Sequence, residues 1–329
     1  MKFLKKEVSI LKILIDAMGG DNAPNEIIKG VLQSDTKAKI ILVGKEAEIK
    51  KHLTSSKNID IINATEVIGM AEASLAIRQK KDSSLVVALE NLKAGEGEAL
   101  ISAGSTGALV AGATLMLKRI QGIKRPSLAV PLPTEKGITL LMDAGANVDC
   151  KPEYLLQWGI LGTIYMKELG IAENPKVGLL SNGSEEDKGN AFTKETAALL
   201  KEASNINFYG NIEAKEVPTG VVDILLADGF AGNILLKTAE GYLKLMGNIL
   251  KKELKSSPIN TLGAILSKKA LNKTKSFFDP SKVGAVQFLG VDKLVLKAHG
   301  SSNSDDIAGA IETAEKLIKL EVISKVKLS

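Results

Sequence analysis

A single cysteine, Cys150, and two histidines, His52 and His299, are all that the 329-residue chain offers of the side chains that build disulfides and zinc centres. One cysteine excludes an intramolecular disulfide, and two histidines far apart in sequence leave no Cys/His zinc site. A reducing cytoplasm is the expected home. Aromatic residues are only 4% of the chain, too few to supply the stacking platforms that hold nucleobases, so no nucleic-acid partner is expected. The uncharged stretch 101–117 is short and rich in Gly, Ser and Thr. It reads as a loop followed by a buried helix rather than a membrane span. The first residues are basic, but the apolar stretch after them is broken by Lys12 and ends at Asp16 with no small-residue cleavage site. Residues 1–9 are therefore read as a tail before the first strand rather than a signal peptide.

Several sequence signatures are missing too. No Gly-x-Gly-x-x-Gly follows a strand, and Gly95-Glu96-Gly97 fails at the third glycine. No P-loop and no Gly-x-Ser-x-Gly elbow occurs, so neither nucleotide use nor an activated nucleophile has support. Cys150 reads as a packed small residue and His52 as a solvated helix-end residue. Asp223 and Asp228 do not by themselves suggest paired metal ligands, and neither metal nor cofactor is expected. The net charge of +5 is a mild excess; it permits an acidic protein partner or an anionic membrane and requires neither.

What is present is an alternation of short apolar, often β-branched runs with longer segments of helical period, the pattern of a parallel sheet covered by helices. Strands are expected at 10–15, 39–43, 59–62, 98–102, 127–131, 138–142, 176–180, 206–208, 222–227 and 293–297. Helices are expected near 24–33, 45–53, 72–78, 84–93, 106–118, 152–168, 188–203, 232–254 and 305–320. Around Thr134-Glu135-Lys136-Gly137 the pattern changes to an antiparallel hairpin. No Pro/Gly/Ser-rich linker divides residues 10–329, so a single three-layer α/β/α domain is expected, with two interwoven lobes and a cleft.

Five expected strand ends run into small polar residues: Asp16 to Pro24, Ser102 to Ala108, Ser181 to Asn190, Asp228 to Asn233, and Lys297 to Ser304. Ligands of open α/β sheets bind outside the carboxyl ends of the strands, so these turns are expected to share one cleft. The last turn sets Lys297 and His299 beside Ser301, before a helix expected to begin at Asp305. Unpaired N–H groups at such a helix start suit a phosphate or an oxyanion. The stretch 251–276 stands apart as a protruding amphipathic helical segment. Ile259, Leu262, Leu266 and Ala270 form its stripe, with Lys268 and Lys275 on the far side. Such a helix suits either an anionic bilayer or packing on the core or a dimer partner, and the membrane is the preferred reading.

Six segments in order carry a family resemblance. They are Ile15 to Pro24 (IDAMGGDNAP), Arg78 to Ser84 (RQKKDSS), Ser102 to Ala108 (SAGSTGA), Asp143 to Asn147 (DAGAN), Asp228 to Asn233 (DGFAGN) and Lys297 to Ser302 (KAHGSS). Together they resemble the motifs of the bacterial phosphate acyltransferases that make acyl phosphate from acyl-acyl carrier protein, over about residues 10–320. The resemblance implies a fold like the isocitrate and isopropylmalate dehydrogenases and the phosphotransacetylases, a homodimer, and a place at the entrance to phospholipid synthesis. It implies as partners acyl carrier protein, inorganic phosphate, an anionic membrane met peripherally, and a membrane glycerol-3-phosphate acyltransferase that takes the product.

On this reading phosphate attacks the thioester carbonyl, and the protein mainly positions phosphate and stabilises the oxyanion. The turn of Gly19 and Gly20, with Asp16, Asp21 and Asn22, and the loop of Ser102, Gly104, Ser105, Thr106 and Gly107 are expected to cradle phosphate. Lys297 adds positive charge; His299 or Asn233 faces the oxyanion or protonates the leaving thiolate. Asn147, Lys188, Asn190, Asp228, Gly229, Gly232 and Ser301 are expected to bind substrate, and Ile259, Leu262 and Leu266 to meet the membrane. The chain departs from the family pattern at Ser105, usually Asn; at Ser181-Asn182-Gly183-Ser184, usually Asn-Ile-Gly-Thr; and at Val283-Gly284-Ala285-Val286, usually Tyr-Gly-Gly-Ala. Ser105 keeps a hydroxyl, so altered affinity is expected there, whereas Ala285 adds a Cβ at a glycine position. A phosphotransacetylase-like enzyme using acyl-coenzyme A and a non-catalytic membrane-associated protein that binds carrier protein or lipid remain open alternatives. A metal-dependent decarboxylating dehydrogenase has less behind it.

Overall fold

The computed structural model describes residues 11–55, 58–72, 75–278 and 286–328. The chain forms two compact units, the first built from residues up to 122 and from 285 onward, the second from 123–284. From the start the elements are β1 (Lys12–Asp16), α1 (Asn25–Gln33), β2 (Lys39–Gly44), α2 (Glu46–His52), β3 (Ile59–Asn63), α3 (Ala76–Gln79), α4 (Ser84–Ala94), β4 (Ala99–Ser102) and α5 (Thr106–Met116). The second unit holds β5 (Ser127–Thr134), β6 (Gly137–Met142), α6 (Pro152–Glu168), β7 (Lys176–Ser181), α7 (Ala191–Glu202), β8 (Asn207–Glu213), β9 (Ile224–Leu226), α8 (Gly229–Leu254), α9 (Pro258–Leu266) and α10 (Lys268–Phe277). The chain returns to the first unit with β10 (Val286–Leu289), β11 (Leu294–Lys297), α11 (Ser304–Lys319) and α12 (Val322–Leu328).

Within the first unit the strands lie in the order β3-β2-β1-β4-β11-β10, parallel except for β10. Ile13, Leu14, Leu42, Leu100, Ile101, Val295 and Leu296 are fully buried, as continuous apolar runs must be in a sheet covered on both faces. Within the second unit the order is β5-β6-β9-β7-β8. Here β5 and β6 form the expected antiparallel hairpin, closed by the pair Thr134 and Gly137, while β6, β9, β7 and β8 run parallel. The α/β class and the largely parallel pairing agree with the sequence reading.

Differences lie where tertiary contacts act. β10 was not expected: it is only four residues long and antiparallel, with Gln287 buried at its second position. α12 and the 3₁₀ turn Ala214–Thr219 were likewise unassigned. α8 begins at Gly229, three residues earlier than expected, because Asp228 caps it by accepting from Ala231 N at 2.8 Å. The 251–276 segment is not one helix. α8 runs through Leu254, then α9 and α10 are separated at Ser267, so the stripe from Ile259 to Ala270 is split between two axes. Val283, Gly284 and Ala285 lie outside the described residues.

Candidate active site

In the first unit β1, β4 and β11 are parallel neighbours, and their registers pair Asp16 with Ser102 and Ser102 with Lys297. Register partners in a parallel sheet share a face, so these three side chains stand in one row at the carboxyl ends. Asp16, 2% exposed, accepts from Ser84 Oγ at 2.6 Å, Ser102 Oγ at 2.7 Å and Met18 N at 3.3 Å. Burial pushes its pKa up; the two serine hydroxyls and the Met18 and Gly19 amides act in the opposite sense. Ser84 sits at the first position of α4, so this carboxylate joins three segments distant in sequence.

Around the row, three turns meet backbone to backbone. A Cβ on Gly19 would fall 2.5 Å from Asp16 Oδ2 and 2.7 Å from Gly104 N, closer than any side chain permits. Gly20, with φ +106°, lies against Ala103 and Gly300. Asp21 N donates to Gly300 O at 2.8 Å, and Asn22 Nδ2 donates to the Ser301 and Ser302 carbonyls at 3.2 Å. Lys297, 6% exposed, donates to Ala103 O at 3.3 Å and to Ala298 O. Its ammonium thus lies beneath the turns and binds the 102–107 loop to its own.

His299 is exposed on this floor. Its Nδ1 accepts from Ser301 N at 3.2 Å and lies 2.9 Å from Ser301 Oγ. A backbone N–H can only donate, so the neutral ring carries its proton on Nε2. The neighbouring helix start behaves otherwise than the sequence suggested. α11 is closed by its own residues: Asn303 Oδ1 accepts from Asp305 N and Asp306 N, and Asp306 Oδ2 accepts from Asn303 N at 2.8 Å. With Asp305 and Asp306 in its first turn, that end repels an anion. α5 has no acid in its first turn, and Thr106 and Gly107 are exposed there behind the Ser105 cap. The start of α5 thus lacks the acids that oppose an anion at α11.

The second unit repeats the theme with different atoms. Asp143, wholly buried after β6, accepts from Asn147 N at 2.6 Å, Leu128 N at 2.7 Å and Asn147 Nδ2 at 3.2 Å. Burial again pushes the pKa up, against the amides of Leu128 and Asn147. Gly229 N donates to Asn147 O at 2.7 Å. A Cβ on Gly229 would meet that oxygen at 2.3 Å, and one on Gly232 would meet Asp143 O at 2.0 Å. Asn233 lies against Gly145, which has φ +124°. Cys150, half-buried, has its thiol pushed up to about 12 by burial, which suits a packed residue rather than a nucleophile.

Within each unit the expected turns take these places. Gly19, Gly104 and His299 belong to the first unit, and Gly229 to the second unit's own cluster with Asp143 and Asn147. Asn190 spends its side-chain oxygen capping α7, accepting from Thr193 N at 2.9 Å. Lys188 lies against Gly183 in the same loop. Ser84 and Asp143 lie inside the motifs 78–84 and 143–147 yet are not among the site residues expected from sequence; an apolar run ending in a lone acid is the signal for Asp143. An open groove of about 800 Å³ lies at the starts of β1, β2 and β3, opposite to the row. Its lysines pair with acids, Lys39 with Asp60 and Lys50 with Glu46 at 2.6 Å each.

Comparison with known proteins accords with this geometry. Residues 11–325 match the model of the family described as "Fatty acid synthesis protein". A phosphate acyltransferase of Fusobacterium nucleatum is 45% identical over 326 residues, spanning 96% of this chain and 98% of that one. The chain belongs to the phosphate acyltransferase family. Phosphate acyltransferases of Thermoanaerobacterium thermosaccharolyticum, 43% identical, and Thermotoga maritima, 42% identical, each match 96% of this chain and 96% of their own length. Among solved structures, a phosphotransacetylase from Streptococcus pyogenes superposes with TM-score 0.62 at 18% identity over 94% of both chains. A putative 4-hydroxythreonine-4-phosphate dehydrogenase from Salmonella typhimurium does so with TM-score 0.53 at 15% identity, over 94% of this chain and 99% of that one. These two likenesses concern the fold, and they join the phosphate acyltransferase family to the phosphotransacetylase and dehydrogenase architecture expected from the motifs.

Proposed function

We propose that this protein transfers an acyl group from the thioester of acyl-acyl carrier protein to inorganic phosphate, giving acyl phosphate and free carrier protein for phospholipid synthesis. The observation that carries the reading is the row Asp16, Ser102 and Lys297 under the His299 turn, in a chain of the phosphate acyltransferase family. Phosphate sits at the start of α5, among the N–H groups of the 102–107 loop and the Gly19-Gly20 turn, with the charge of Lys297 below. One phosphate oxygen attacks the thioester carbonyl. The carbonyl oxygen gains the electron pair, and collapse of the tetrahedral intermediate expels the thiolate. His299 Nε2–H points at the developing charge and donates to the oxyanion or to the departing sulfur. No nucleophilic side chain is required, because phosphate is itself the nucleophile.

The test replaces His299 and Lys297 separately by Ala and follows phosphate-dependent release of carrier protein, with acyl phosphate identified by mass. Loss of a single positioned donor lowers turnover by about a hundredfold or more; unchanged turnover in both variants refutes the assignment. Running acyl-coenzyme A beside acyl carrier protein as donor separates the phosphotransacetylase-like alternative.

The second unit supports a peripheral membrane contact and self-association. Ile259, Leu262, Ile265 and Leu266 of α9 are all more than half exposed, and α10 continues with Lys268, Lys269, Lys273 and Lys275. An apolar turn followed by cations suits an anionic bilayer surface. No helix among the described residues is long and apolar enough to cross a membrane. α8 exposes Ile234, Tyr242, Leu245, Met246 and Ile249, an apolar face suited to a second copy in a homodimer. Deleting 257–277 should spare catalysis on soluble donor and abolish sedimentation with anionic liposomes; equal sedimentation before and after refutes the membrane contact.

A further inference from the structure

The large apolar side chains exposed in the described part of the first unit are Met70, Leu75 and Leu115, and one of them lies on the turn that carries His299. A Cβ placed on Gly300 would stand 2.5 Å from Met70 Cε. Met70 therefore rests on the backbone of residue 300, and 39% of it remains exposed. The other side chains at this turn, His299, Ser301, Asp21 and Asn22, are polar. A long acyl chain arriving at His299 meets an apolar, flexible surface there, that of Met70.

Met70 is held in place by its flanks. Glu72 Oε1 accepts from Gly69 N at 2.9 Å and from Lys80 Nζ at 2.6 Å, and the same ammonium donates to Val67 O at 2.8 Å. Asp82 accepts from Thr65 N at 2.9 Å and from Thr65 Oγ1 at 2.5 Å. Ser84 N donates to Glu66 O at 3.2 Å, while Ser84 Oγ holds Asp16. On the far side Ile77 of α3 packs into α5, where a Cβ on Gly112 would stand 3.0 Å from Ile77 Cδ1. Residues 65–72 are thus laced to the segment that supports the catalytic row, and Met70 is the side chain this lacing presents.

We propose that Met70 is a specificity-determining contact for the acyl chain next to the thioester, an inference that rests on the acyl-transfer reading. Its thioether and methyl pack along the first methylenes of the chain while His299 faces the carbonyl. It takes no part in binding phosphate.

The experiment measures KM for a long-chain and a short-chain acyl thioester, and separately KM for phosphate, in wild type, Met70→Ala and Met70→Gln. Folding is monitored by thermal unfolding. Both variants should raise KM for the long-chain donor by roughly three- to tenfold, the short-chain donor less, and phosphate by less than about twofold. Gly300→Ala should push the Met70 methyl aside and raise KM for the long-chain donor, and should add little to Met70→Ala, because shortening residue 70 removes the atom the new Cβ would meet. The inference is overturned if folded Met70 variants leave the donor KM values unchanged, if they raise phosphate and donor KM equally, or if Gly300→Ala adds its full effect to that of Met70→Ala. Wild type that turns over neither donor removes the acyl-transfer reading and this inference with it. Wild-type turnover with unaltered variants removes this inference alone.

Discussion

Asp16 and Asp143 occupy matching places in the two units. Each closes an apolar strand, each is shut off from water, and burial raises the pKa of both. They differ in the groups that satisfy them. Asp16 is held chiefly by the hydroxyls of Ser84 and Ser102, whose protons rotate. Asp143 is held chiefly by the amides of Leu128 and Asn147, whose direction the backbone fixes. A hydroxyl can turn from donor to acceptor when its partner changes; an N–H cannot. The first cluster can therefore adjust beneath a changing charge, while the second is a rigid brace around the start of α8.

That contrast is sharpened first by glycine replacements. Gly232→Ala drives a Cβ to 2.0 Å from a main-chain oxygen, whereas in Gly19→Ala the nearest main-chain atom, Gly104 N, lies at 2.7 Å. Overpacking costs about 1–3 kcal/mol and occasionally more, so Gly232→Ala should lie at or above the top of that range and Gly19→Ala within it, as read from urea midpoints. The reverse order would show that the second cluster yields more readily than the first.

Replacing each acid by its amide should have the next largest effect. Asp143→Asn turns an NH₂ toward a fixed N–H and leaves buried donors unmatched, at about 2–3 kcal/mol, while Asp16→Asn lets a serine hydroxyl reorient and costs about 1 kcal/mol. Equal losses in chemical denaturation would erase the distinction between hydroxyl and amide partners.

The smallest effect is on pH dependence. Because burial raises Asp16 above its ordinary value of 3.8, the folded protein holds that proton more tightly than the unfolded chain. The resulting stabilisation is fully present below 3.8 and is lost as pH rises through the raised folded value. Asp16→Asn cannot titrate and lacks this slope. The stability of wild type relative to Asp16→Asn should therefore fall as pH rises across that window; a difference that grows instead would mean the folded state favours the carboxylate.

Much of this was legible along the chain. Runs such as Ile13-Leu14-Ile15 and Ala99-Leu100-Ile101, closed by small polar residues, marked parallel strands and their functional ends, because side chains buried on both faces leave no alternation. The hairpin at 134–137 was legible from its turn residues. What stayed hidden depended on partners. The four residues of β10 carry too little periodicity, and it is β11 that makes them a strand. The start of α11 looked like an anion site until Asn303 and Asp306 closed it. Ser84 and Met70 could not be chosen, because nothing near them in sequence shows that one reaches Asp16 and the other lies on Gly300.

By itself the sequence determined the class of fold, the order of its strands and helices along the chain, and the family, since apolar period and motif order are written locally. Only the tertiary structure decided which strands became neighbours, which turns met and which helix end stayed open. Those outcomes depend on register and on close backbone approach between segments up to hundreds of residues apart.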